Sequence, residues 1–304
     1  MHLTLTLDPF VDSDLLYAQQ LGVDWIIGDL SRWDLETLGA ARNRVEQAGL
    51  TLCGLGSLPA SLVATAIGGQ PQADEAVEQV CRILADMGRA GISSVGYLWP
   101  SLEPDDRSTT TQGRGGAIST IHRVEELRHD AAGTGREALW QALSGFLRYV
   151  VPAAESAGVS LIYRTDVSLG ALSEENRILD TVDELDRLLE LAAGPALGLD
   201  LDLGFATAVL GVPVEAAIIH FGSRRTLSAV RVSHLRLADG CAQEFFVDED
   251  SKAVVKALRA CREVGFEGAL CPVAAPGMTD DSAWRHKGYA FGVGYLRGLL
   301  QVIG

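Results

Sequence analysis

LGLDLDLG at residues 197–204 and VRVSHLRLAD at 230–239 are short apolar runs that carry charge at their ends, and those endings decide the fold. Two similar runs flank them, VSLIYRTD at 159–166 and ALCPVAAP at 269–276. Each has the length of a strand buried on both faces. Three finish in acid, arginine or histidine, whereas the fourth finishes in Val273 and Ala274. Toward the N-terminus the pattern repeats in LTLTL (3–7), DWIIG (24–28), TLCGLG (51–56) and SSVGYLW (93–99). Between these runs lie amphipathic stretches at 12–22, 35–49, 73–91 and 136–158, then around 173–193, 213–229, 249–265 and 281–302. Their apolar residues recur at three- and four-residue spacing, and several close on glycine, as helices do.

Eight strand–helix units, with strands too apolar to face water on either side, predict a single-domain (β/α)8 TIM barrel over residues 1–304. A doubly wound open sheet is the competing fold, but it usually shows a glycine-rich phosphate turn after its first strand. LTLDPFVDSD is not such a turn. No linker rich in Pro, Gly or Ser divides the chain. The one long irregular stretch, 101–133, follows the fourth strand, so it is expected to hang over the barrel mouth as a lid or a mobile loop.

Bulk properties narrow the function classes. A hydrophobic content of 47% in 304 residues supplies a large core. No apolar stretch approaches the roughly 18 residues of a membrane span. MHLTLTLDPF lacks the basic region and apolar core of a signal peptide, so a cytoplasmic location is expected. Five cysteines, an odd number without a CxxC pair, read as ordinary buried thiols. A net charge of −15 disfavours nucleic acid and anionic membranes as partners. A local arginine cluster would still admit a small anion.

Several blocks resemble mannonate dehydratase, within the wider group of barrels similar to xylose isomerase. They are MGRAGISSVGY (87–97), GRGGA in the long loop, VVPAAESAGVSLIY, FGSRR (221–225), SHLRL, GFEGAL (265–270) and the terminal GYLRGLL. The resemblance implies a hydro-lyase of carbohydrate metabolism that dehydrates a sugar acid to a 2-keto-3-deoxy acid with Mn²⁺ or Mg²⁺, as a homodimer. It also implies a metal site of His, Cys, His and Asp at four strand ends. On this chain those positions carry Arg164, Asp202, His234 and Val273, with Ala274 at an adjacent family histidine and Gly56 at a family glutamate. Asp202 and His234 are the two remaining candidate ligands. Valine cannot ligate a metal, and a guanidinium repels one.

Read by their own chemistry, Arg164, Asp202, His234 and Arg236 share the inward parity of unbroken strands, with Asp200 one layer deeper. Buried carboxylates need partners, and Arg164 with Asp202 is the expected pair. These residues make either an internal ion-pair network without a ligand or a site in which Arg164 and Arg236 receive a carboxylate or phosphate. In the second case His234 is the candidate acid–base group, oriented by Asp202. This opens a second functional reading, a metal-free barrel that acts on or merely binds a sugar or carboxylate, even as a non-catalytic homologue. Arg114 of GRGGA would reach over the mouth or stay solvated. Asp166 matches an acidic family position or caps the following turn. Tyr97 and Trp99 offer a wall to a sugar ring or pack beneath the loop. The other histidines lack metal-ligand spacing.

Overall fold

The computed structural model describes residues 1–67, 72–99, 108–123, 135–165, 178–192, 196–238 and 241–303. Among the described residues, twelve strands fall into two sheets. Eight of them are parallel and close a barrel: β1 (His2–Leu7), β2 (Trp25–Gly28), β3 (Thr51–Leu55), β4 (Ser94–Tyr97), β7 (Ser160–Arg164), β8 (Leu197–Asp202), β9 (Leu227–Val232) and β12 (Ala269–Pro272). Closure is direct, because β1 pairs with both β2 and β12. The expected (β/α)8 architecture is therefore the observed one.

Alternation along the strands builds two layers. Leu5, Ile26, Val95, Leu161, Leu199, Val230 and Leu270 are buried on the outer face, under the helices. The helices are α1 (Asp12–Gln20), α2 (Leu35–Gln47), α3 (Ala60–Ile67), α4 (Ala73–Ala90), α5 (Arg136–Ala157), α6 (Val182–Leu189), α7 (Leu203–Ala208), α8 (Val214–Ser223), α9 (Ser251–Glu263) and α10 (His286–Ile303). Both α4 and α5 stop at a glycine, Gly91 at φ 72° and Gly158 at φ 66°, a left-handed turn that a side chain would strain. The inner face is lightly filled. Its apolar cluster is Ile27, Ala229, Ala269 and Cys271, with Cys53 beside them. Small residues there leave a cavity along the barrel axis. All five cysteines are free, and burial pushes the Cys53, Cys261 and Cys271 thiols up to about 12, which keeps them neutral.

The second sheet is antiparallel, in the order β10-β11-β6-β5, with β5 (Ser108–Gln112), β6 (Ile118–Arg123), β10 (Leu235–Ala238) and β11 (Cys241–Glu244). It corrects two expectations. Residues 108–123 of the stretch read as irregular form a hairpin, turning through Gly115 at φ 64° and Gly116 at φ 81°. The run 230–239, read as one strand, is broken at Ser233–His234: its first part is barrel wall and its second part belongs to the other sheet. Its β10 follows β9 after the two-residue break. Ile118 exchanges two backbone hydrogen bonds of 2.8 Å with Gly277, beyond the end of β12. The hairpin is thus tied to β11 and to the segment that follows β12. No described helix is long and apolar enough to cross a membrane.

Candidate functional site

Three charged side chains meet inside the barrel, and one of them was not anticipated. Arg231 Nε donates to Asp200 Oδ2 at 2.7 Å. Arg164 Nε lies 3.7 Å from the same oxygen, while its Nη1 donates to the Gly56 carbonyl at 3.1 Å. Asp200 is 3% exposed, so its charge is tolerable only because both guanidiniums face it. Burial works against the charge of Arg231, but Asp200 more than restores it and holds the guanidinium protonated.

Arg231 escaped notice because the break at Ser233 reverses the parity of the run. The local signal was present nonetheless. Val230 and Val232 take the apolar outer face, so the residue between them must point inward. The expected pair of Arg164 with Asp202 is also corrected: Arg164 pairs with Asp200.

Asp202 is occupied at the start of α7. Its carboxylate accepts from Phe205 N at 3.0 Å and from Ser233 Oγ at 2.5 Å. Ser233 Oγ in turn accepts from Gly204 N at 2.9 Å. Burial pushes the Asp202 carboxyl up to about 6, against those hydrogen bonds and the attraction of Arg231.

The other expected residues disperse. His234 sits in the break between β9 and β10, with Nδ1 3.1 Å from the Phe246 carbonyl oxygen, and it hydrogen-bonds to neither Asp202 nor the interior arginines. Arg236 belongs to the covering sheet. It is exposed, lies 4.1 Å over the Phe245 ring and donates to the Glu249 carbonyl at 3.2 Å. Arg114, at the hairpin turn, grips Asp248 through both terminal nitrogens, at 2.8 and 3.0 Å, and lies 4.4 Å over the Phe246 ring. Tyr97 and Trp99 are buried behind the strand, Tyr97 near Tyr163 and Trp99 near Phe146 of α5, so they do not wall the mouth. Asp166 lies outside the described residues.

A divalent metal does not fit this donor set. At the four implied positions Arg164 is a cation and Val273 has no donor, which leaves one oxygen of Asp202 and one ring nitrogen of His234, too few to hold an ion. Among the described residues no group of three or more His, Cys, Asp or Glu is arranged to hold an ion.

The fold and the site define a closed (β/α)8 barrel with charged side chains at its centre. Residues 115–304 match the family described as D-mannonate dehydratase (UxuA), and the chain belongs to that family. A mannonate dehydratase of Enterococcus faecalis is 22% identical, over 92% of this chain and 91% of its own length. The mannonate dehydratase structure from Streptococcus suis serotype 2 superposes with a TM-score of 0.84 at 18% identity, covering 100% of this chain and 93% of that one. The D-psicose 3-epimerase of Clostridium cellulolyticum H10 shares the fold more loosely, with a TM-score of 0.67 at 14% identity and 99% of each chain covered.

Proposed function

We propose that this barrel has exchanged the metal-dependent sugar-acid dehydration of its family for metal-independent binding of a carboxylate. The observation that carries this reading is the Arg164–Asp200–Arg231 cluster at the barrel centre. Two guanidiniums converge on one buried carboxylate, and arginine presents the paired donors that a carboxylate accepts. Among the described residues Arg231 is hydrogen-bonded through Nε alone, so both of its terminal nitrogens remain to receive an anion.

Binding is favoured over turnover by what has happened to the acid–base pair. His234 is held by a carbonyl next to the covering sheet, and Asp202, its expected orienting partner, caps a helix instead. A proton-transfer group must reach the substrate, and neither residue is placed by the other to do so.

The test has two measurements. Elemental analysis after dialysis against Mn²⁺ is expected to find far less than one metal per chain, and calorimetry is expected to find carboxylate binding that Arg231→Gln removes. One Mn²⁺ per chain, lost on replacing Asp202 or His234 and accompanied by dehydration of D-mannonate, would overturn the reading.

A further inference from the structure

We propose that the cavity beneath the arginines is a site for a small planar monoanion of the carboxylate type that also bears a hydroxyl. This deepens the carboxylate-binding reading and rests on it. The cavity measures about 70 Å³. Its lower wall is small and weakly polar, with Ser94, Ser228, Ala229 and Ala269, while Arg164, Asp200 and Arg231 supply the charge.

Size comes first. A buried water needs roughly 10–15 Å³ measured this way, so the space holds about five water-sized positions. That suits glycolate or hydrogencarbonate. A six-carbon sugar acid has more than twice as many heavy atoms as the space has positions.

Hydrogen bonding then selects within that class. The terminal nitrogens of Arg231 form a planar fork suited to two carboxylate oxygens. Asp200 Oδ1 is buried and accepts no hydrogen bond from any described residue, although Oδ2 of the same carboxylate is paired with Arg231. A buried acceptor left empty is costly, and a second anionic oxygen placed against it would be repelled. A hydroxyl on the ligand satisfies it. Thus the arginines fix the anionic end, and Asp200 requires a donor at the other.

The test is calorimetric titration of the full chain with glycolate, hydrogencarbonate, acetate and D-mannonate. Glycolate or hydrogencarbonate is expected to bind about tenfold more tightly than acetate, the effect of one hydrogen bond to a charged acceptor. Whichever of the two binds more tightly identifies the source of the anion. Asp200→Asn is expected to level that preference without abolishing acetate binding, and Arg231→Gln to weaken all three anions more than tenfold. Equal affinity for glycolate and acetate in the unaltered protein overturns the hydroxyl requirement and needs no variant to fold. Binding of D-mannonate but of none of the small anions overturns the size argument and leaves the carboxylate reading standing. Binding of none of the four overturns both.

Discussion

Replacing Asp202 by asparagine should stabilise this protein at neutral pH and leave it unchanged in acid. The carboxyl is pushed up to about 6 in the fold, from 3.8 when free, because burial disfavours its charge more than its hydrogen bonds and Arg231 favour it. A raised folded pKa means that the native state holds the proton more tightly than the unfolded chain. The stabilisation from this group is therefore complete below pH 4 and is lost as pH rises through 6. Two pH units at 1.36 kcal/mol each make the loss about 3 kcal/mol. Asparagine keeps an oxygen for Phe205 N and does not titrate, so the difference between variant and wild type isolates Asp202. The background runs the other way. Hydrogen bonds to Thr37 hold Asp34 low, the Lys256 bond holds Glu215 low, and backbone hydrogen bonds hold Asp281 low despite its desolvation; the stability these groups add is lost as the medium is acidified, equally in both proteins. The assay is urea unfolding at pH 4, 5, 6 and 7. A variant that is no more stable at pH 7, or a difference that does not change with pH, would refute the reasoning.

Two further outcomes test how the mouth is built. A Cβ at Gly96 would overlap the Gly56 carbonyl oxygen and lie 2.7 Å from Arg164 Cδ, so Gly96→Ala should cost about 3 kcal/mol in denaturant unfolding and displace Arg164. Gly294→Ala on α10, where nothing lies within 4 Å, is the control and should be neutral or slightly stabilising. Arg114→Ala should change global stability by less than about 1 kcal/mol, because the pair with Asp248 is about half exposed on the arginine side. It should nonetheless speed hydrogen exchange in residues 108–123 severalfold, and unchanged exchange would show that Arg114 does not pin the hairpin.

The barrel was legible because its strands are short runs rich in apolar residues, bounded by helices with 3.6-residue periodicity. Each barrel strand falls within or overlaps a run picked out from the sequence. The hairpin was not legible, because STTTQ and ISTIHR pair outside the core and carry no apolar alternation. What the sequence did hold there was the glycine turn GRGGA between β-branched threonines, a hairpin signal that a search for buried strands passes over. The site failed at one place. VRVSHLRL alternates smoothly through the break, and only the third dimension reveals that Ser233 leaves the strand to bond Asp202 and Gly204. That local detail moved His234 and Arg236 out of the barrel wall and brought Arg231 in.

The interior charges are hard to explain as structure alone. Replacing a buried ion pair with packed apolar residues is commonly neutral or stabilising, so a barrel selected only to fold would fill its axis with valine and leucine. Here the substitutions interlock instead. Gly96 has no side chain where Arg164 passes, and the Gly56 carbonyl accepts a hydrogen bond from the Arg164 guanidinium. Arg231 completes the arrangement from β9, on the same carboxylate. A metal site that had merely decayed would leave unpaired ligands and voids of no particular charge. This one presents two fixed cations, a half-used carboxylate and a small cavity beside them. Guanidiniums supply the positive charge that an ion would have supplied, but they cannot act as a Lewis acid or lower the pKa of a water as a bound metal does. On the proposed reading, the site keeps the means of holding an anion and gives up the means of activating it.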